Sequence, residues 1–230
     1  MRLSKRLMAV AAMVTPNYRV ADVGTDHGYI PIYLIKNSIA TQAIAMDINE
    51  GPLDMAKKNI IAHQVADKIE TRLSNGVTAL SASEVDTVVV AGMGGNLVIK
   101  ILSEGELVLK TVQELIIQPQ SEIAEVRRFL QEHGYLIIAE EMIYEDGKFY
   151  PMMKVVHGDM KLARQIDFIY GPRLLKGKNI ILKQFLEKER AILLTIEKRL
   201  AQASGTKTKQ REQEIKQEMC RNDEARKEYE

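Results

Sequence analysis

Four short segments of this sequence carry residue types that bind and position a small ligand. Asp22-Val23-Gly24-Thr25-Asp26-His27-Gly28-Tyr29 follows directly on an apolar run. Gly24 allows a tight turn there, and Gly28 lets the following helix come close to a sheet. Asp26 stands where dinucleotide loops carry a glycine. Its carboxylate would repel a pyrophosphate and tolerate a sulfonium or an ammonium. Asp47 ends the next apolar run, roughly 20 residues past the loop, from where a carboxylate accepts hydrogen bonds from ribose hydroxyls or caps the next helix. Asn75-Gly76 presents an amide that can reach an adenine amine, or forms an ordinary turn. Gly92-Met93-Gly94-Gly95 removes side-chain bulk where a flat base has to approach, or packs as a plain loop, with Met93 a pocket wall.

Such segments act together only if strand ends hold them side by side. Arg19–Val23, Gln42–Ile48, Lys68–Leu73, Val85–Ala91 and Glu114–Gln118 read as strands, with a helical pattern over Leu53–Gln64 between the second and third. Val85–Ala91 is continuously apolar and β-branched, as expected of a central parallel strand covered on both faces. Ser121–His133 reads as a helix with Ser121 its N-cap and Gly134 its stop. The alternation is that of a doubly wound α/β sheet, whose ligands bind outside the carboxyl ends of the strands. Tyr135–Tyr144 and Lys148–Val156 flank Asp146-Gly147, which predicts an antiparallel hairpin closing the sheet. That ending suits a Rossmann-like class I methyltransferase better than a dehydrogenase, by analogy of fold.

Beyond residue 158 the pattern changes, giving an expected sheet domain over 1–158 and a helical domain over 159–230. Tyr170-Gly171-Pro172 breaks the chain. Asn179–Leu200 then carries an apolar stripe at Ile181, Phe185, Leu186, Ile192, Leu193, Ile196 and Leu200. Ser204-Gly205-Thr206 predicts a turn into a polar last helix over Lys207–Glu230, with Ile215, Met219 and Ala225 on its stripe. A coiled-coil-like helical hairpin follows, its last helix marginal in isolation.

The net charge of +1 is unevenly divided: Met1–Tyr150 holds 14 Lys+Arg against 19 Asp+Glu, and Pro151–Glu230 holds 18 against 12. A basic half suggests a polyanion partner, although a solvated helical face gives the same count. The single cysteine, Cys220, excludes an internal disulfide and a Cys-based metal cluster. His27, His63, His133 and His157 are scattered, so no metal is expected. No stretch approaches the roughly 20 apolar residues of a membrane span. The short apolar centre of the first 16 residues does not suit an export signal, so a cytoplasmic place is expected.

The run Asp22–Tyr29, the Gly92–Gly95 cluster, Gln118-Pro119-Gln120, the Gly171-Pro172 break and the Leu3-Ser4-Lys5-Arg6-Leu7 start together resemble the bacterial tRNA (adenine-22-N1)-methyltransferases. The resemblance covers nearly the whole chain and weakens after Thr206. It implies S-adenosyl-L-methionine (SAM) as cofactor and methylation of N1 of an adenine in the D-arm of tRNA. It also implies a C-terminal coiled coil that helps to hold the tRNA.

On that reading the expected cofactor contacts are Asp22, Gly24, Thr25, His27, Asp47, Ile48, Asn75, Gly76, Gly92, Met93 and Gly94. Asp26 and Tyr29 are the catalytic candidates. Asp26 either stabilises the positive charge that methylation leaves on the base or binds the methionine ammonium, and Tyr29 stacks or hydrogen-bonds beside it. His27 relays a proton or caps the helix. Gln118 and Gln120 read a base edge or close their loop. N1 lies on the pairing edge, so a paired target must be exposed first. Phosphate contacts are expected from Arg2, Lys5, Arg6, Arg164, Arg173, Lys176, Lys178 and Lys183. A nicotinamide dehydrogenase is disfavoured by Asp26 and His27, and a non-catalytic RNA-binding scaffold by the intact Asp47 and Gly92–Gly95. The chain is expected to act as a monomer or a weak dimer.

Overall fold

The computed structural model describes residues 3–202 and 206–230. Arg2 and the Ser204-Gly205 turn of the expected hairpin lie outside the described residues. The chain divides into two compact units, Met1–Lys161 and Leu162–Glu230. None of its described helices is long and apolar enough to cross a membrane.

The first unit begins with helix α1 (Lys5–Ala12) and strand β1 (Tyr18–Val23). Then come α2 (Tyr29–Lys36), β2 (Ala40–Asp47), α3 (Glu50–Ala62), β3 (Ile69–Leu73) and β4 (Thr87–Met93). Helices α4 (Gly95–Glu104) and α5 (Glu106–Leu109), β5 (Glu114–Pro119), α6 (Ile123–Glu132), β6 (Tyr135–Glu145) and β7 (Lys148–His157) complete it. The sheet runs β3-β2-β1-β4-β5-β7-β6. Its first five strands are parallel, and β7 pairs antiparallel with both β5 and β6. Strand order reverses between β1 and β4, the switch point where open α/β sheets bind ligands.

The apolar runs explain the centre of this sheet. Val88, Val89 and Val90 on β4 and Ile116 and Ile117 on β5 are fully buried, each contributing roughly 1.5–3 kcal/mol by leaving water. Asp146 and Gly147 both take positive φ, 49° and 79°, the conformation a two-residue antiparallel turn requires.

Two local expectations change. Strand β4 starts at Thr87 rather than Val85, because the Asp86 carboxylate turns aside to accept from the Arg19 backbone and guanidinium at 2.8–2.9 Å. It also runs past Ala91 through a bulge between Ala91 and Met93. Ser121 does not cap α6: Glu122 holds that position with φ 45°, while Ser121 Oγ accepts from Gly95 N at 3.3 Å. Gly95 sits so close to this loop that a Cβ there would lie 2.4 Å from Ser121 O.

Helix α1 is fastened at both ends. Ser4 Oγ accepts from Leu7 N, and the Glu145 carboxylate at the end of β6 accepts from Lys5 N at 2.7 Å and Arg6 N at 3.1 Å. Past the helix, Thr15 donates through N and Oγ1 to the buried Glu114 carboxylate, which also faces Lys154 Nζ at 2.9 Å. Lys154 in turn donates to Met13 O. Helix α6 is tied to β6 by Arg127 and Glu140, whose side chains are 1% and 0% exposed.

The second unit is helical: α7 (Gln165–Tyr170), α8 (Pro172–Lys176), α9 (Ile180–Leu200) and α10 (Thr206–Lys227). Asn179 caps α9, its Oδ1 accepting from Ile181 N and Leu182 N. Leu182, Leu186 and Leu193 are the buried residues of α9. Ile192, expected on the stripe, is 51% exposed. Helix α10 runs antiparallel to α9, burying Ile215, Asn222 and Ala225. Asn222 Nδ2 donates to Leu186 O and to Glu189 Oε2, and Tyr170 Oη donates to the same Glu189 oxygen at 2.6 Å.

Candidate active site

The end of β1 builds the floor of a cleft at the switch point. Parallel pairing with β2 continues into the turn, so Gly24 N and Thr25 N both donate to Met46 O at 2.8 Å. Gly24 has φ 75°, and a Cβ on it would come within 2.0 Å of Met93 Cε. The left-handed backbone favours glycine there, and the Met93 methyl lies over it. The cleft holds about 220 Å³ between the Gly24 turn, Asp22, Thr25, Asp26, His27, Tyr29 and the α1 residues Arg6 and Leu7.

Asp22 is buried. Burial raises its carboxyl to about 6, the charge of Asp47 adds to the shift, and the nearby Thr25 hydroxyl offsets part of it. The Thr25 oxygen itself is buried without a partner at hydrogen-bond geometry. A buried carboxylate beside an unpartnered hydroxyl is an environment waiting for a cationic donor.

Asp26, by contrast, is at the rim, its side chain 80% exposed and 3.3 Å from His27 Nε2. The His27 ring stacks on Tyr29 with centroids 5.0 Å apart. His27 does not cap α2, whose N-cap is Gly28; its carbonyl accepts from Asn59 Nδ2.

The remaining expected contacts lie on the neighbouring strand ends, outside this cleft. Asp47 Oδ1 accepts from Asn49 N at 2.8 Å, at the start of α3, and Ile48 beyond it is 60% exposed. Ser74 N donates to Asp47 O, and Ser74 Oγ donates to Gly76 O. Ser74 thus holds the Asn75-Gly76 turn beside Asp47, a role that a lone serine before Asn-Gly does not announce. Gly92 occupies the β4 bulge with φ 83°, its open side facing Arg6 Nη1 and Gln120 Nε2. Gly94 is the N-cap of α4, and Met93 forms the wall above Gly24.

Gln118 is fully buried with both ends of its amide engaged. Its Oε1 accepts from Arg6 Nη1 at 2.9 Å, and its Nε2 donates to Pro119 O at 3.1 Å. It closes its loop instead of reading a base, whereas Gln120 is exposed.

The expected phosphate contacts divide. Arg6 lines the cleft with its guanidinium over the Tyr150 ring, 5.5 Å from the centroid. Arg164 is engaged by Asp167 at 2.7 Å and by Glu228, which counts against a phosphate role. Lys5 is exposed on α1, and Arg173, Lys176, Lys178 and Lys183 are exposed over α8 and the start of α9. A larger hollow, about 360 Å³, lies at the opposite ends of the strands among Arg19, Gln42, Lys68 and Glu84. Its position is the wrong end of a parallel sheet for a ligand site.

The sequence missed Tyr150, Glu145 and Asn222. Only Asn222 left a signal: it lies seven residues after Ile215, on the same stripe.

Comparison with known proteins places this geometry. Residues 3–153 match the family described as a methyltransferase domain. The chain is 32% identical over 222 residues to the tRNA (adenine(22)-N(1))-methyltransferase of Bacillus subtilis, covering 94% of this chain and 92% of that one. It is similar to the structure of a Streptococcus pneumoniae protein assigned as a tRNA (m1A22) methyltransferase in complex with SAM. The TM-score is 0.85 at 36% identity, over 97% of this chain and 99% of the other. It is also similar to TrmK of M. capricolum in complex with S-adenosylhomocysteine, with TM-score 0.83, 29% identity and 97% of each chain covered.

Proposed function

The chain belongs to the tRNA (adenine(22)-N(1))-methyltransferase family, and from that premise we propose how its residues do the work. It transfers the methyl group of SAM to N1 of adenine 22 in tRNA. The buried Asp22 carboxylate and the unpartnered Thr25 hydroxyl over the Gly24 turn suit this cofactor. Its amino-acid end carries a cationic ammonium that Asp22 accepts, and no pyrophosphate has to pass Asp26.

When bound, SAM supplies a methyl group on a positively charged sulfur, which the adenine N1 displaces in line. The protein's part is to place the acceptor and to balance charge. Asp22 holds the ammonium at the cleft floor. Asp47 offers its second carboxylate oxygen to the ribose hydroxyls. The exposed Ile48 gives the cofactor's adenine an apolar bed, and Asn75 reaches its amine. Asp26, on the rim, faces the acceptor and stabilises the charge left on the methylated adenine. Tyr29, braced by His27, stacks against the incoming base. Gly92 keeps the approach open, and Met93 walls it.

The sheet unit is the catalytic domain, and the helical unit, with α9 and α10 pairing as a coiled coil, is the tRNA-binding domain. Arg173, Lys176, Lys178 and Lys183 contact backbone phosphates around the D-arm, and the protein works in the cytoplasm. The observation that carries this reading is the buried, cation-seeking Asp22 beneath a glycine turn at the switch point. Calorimetry with SAM and with NADH tests it: SAM binds and NADH does not. A protein that takes NADH, or fails to take SAM, refutes the reading.

A further inference from the structure

Two amides flank Pro119 where β5 ends, and one of them is spent. Gln118 is fully buried with both ends of its amide bonded. Gln120, the first residue beyond the strand, is exposed, and among the described residues nothing bonds to its side-chain amide. Its backbone is nevertheless held on both sides. Gln120 N donates to Met93 O at 2.8 Å, Pro119 before it has a fixed φ, and Ser121 Oγ after it accepts from Gly95 N at 3.3 Å. The amide reaches back over the β4 bulge. A Cβ on Gly92 would lie 3.8 Å from Gln120 Nε2 and 3.4 Å from Nη1 of Arg6, which lines the Asp22 cleft. A pinned loop thus offers a free donor and a free acceptor beside the gap that Gly92 leaves open.

The reaction restricts how such an amide can identify an adenine. N1 has to face the methyl donor with its lone pair free, so no bond to N1 can serve for recognition. N6–H and N7 remain, a donor and an acceptor side by side, and a Gln amide matches that edge bidentately. Guanine would set O6 against Oε1 and break the match. We infer that Gln120 reads the target base, with Oε1 accepting from N6–H and Nε2 donating to N7, and so turns N1 toward the cofactor. The inference rests on the reading of the chain as a tRNA adenine-N1 methyltransferase. It makes Gln120 a determinant of adenine over guanine.

The test uses tRNA with 7-deazaadenosine at position 22, in which a C–H replaces N7 and N1 is kept. Single-turnover methylation of this tRNA and of unmodified tRNA is measured for the unaltered full chain, Gln120→Ala and Gln120→Glu. The unaltered protein loses about 10-fold on the 7-deaza tRNA, because Nε2 is left without a partner. Gln120→Ala loses about 5- to 150-fold on unmodified tRNA, the range of one bidentate amide–adenine pair, and no longer distinguishes the two. Gln120→Glu sets a carboxylate against N7 and so prefers the 7-deaza tRNA. Affinity for S-adenosylhomocysteine, measured by calorimetry, is unchanged in both variants, and a fall in it overturns the assignment to the target base. An unaltered protein indifferent to N7 also overturns it, even if Gln120→Ala slows both tRNAs as loss of a phosphate contact would. So does a Gln120→Ala variant that still discriminates. If the unaltered protein methylates neither tRNA at position 22, the underlying reading has failed instead.

Discussion

At the scale of the residue, the site turns on one carboxylate placed where water cannot reach it. The Asp22 carboxyl is raised from 3.8 to about 6 by burial. In the unliganded protein its ionisation therefore opposes folding, by up to about 3 kcal/mol. That cost is fully present above about 6 and fades as the pH falls toward the unfolded value of 3.8. With an ammonium bound the sign reverses, because the ligand needs the charged form. Affinity for S-adenosylhomocysteine should fall as the pH drops through 6. Asp22→Asn should weaken binding, flatten that dependence and stabilise the unliganded protein at pH 8; a sloped profile that survives the substitution contradicts this. Asp22, Gly24 and Asp47 were legible because a strand end, a turn and an acid at fixed spacing are local patterns. The inward turn of Arg6 into the cleft was not. A long side chain can turn to solvent or inward, and the inward choice depends on Gln118, Tyr150 and Glu145, which are more than a hundred residues away.

At the scale of the element, continuous apolar runs fixed the parallel strands well, while their ends were set by contacts that periodicity does not contain. Asp86 starts β4 late because it engages Arg19, and the bulge at Gly92 carries the strand into what reads as a loop. The start of α6 shifted from Ser121 because that hydroxyl serves Gly95 on α4. The short helices α5, α7 and α8 are held by packing, and four to six residues give too little periodicity to be seen. Helix α6 and strand β6 share the buried pair Arg127–Glu140. Arg127→Met removes the guanidinium that the buried Glu140 carboxylate faces and should cost about 3–5 kcal/mol in denaturant unfolding. A cost under 1 kcal/mol would mean that the pair does not bind helix to strand.

At the scale of the molecule, the near-neutral total conceals two units of opposite character. The acidic sheet unit suits a cationic cofactor. The helical unit presents Arg173, Lys176, Lys178 and Lys183 to solvent, while Arg164, counted with them from sequence, is engaged by Asp167 and Glu228. Reversing charge at Arg173 and Lys176 together should weaken tRNA binding, lower its salt dependence and leave SAM affinity intact. Unchanged tRNA affinity at low salt would remove these residues from the interface. The central claim is the reaction itself. Unmodified tRNA incubated with the protein and methyl-labelled SAM should carry the label on N1 of adenine 22, mapped by nuclease digestion. A methyl group on guanine, or at any other position, would contradict it.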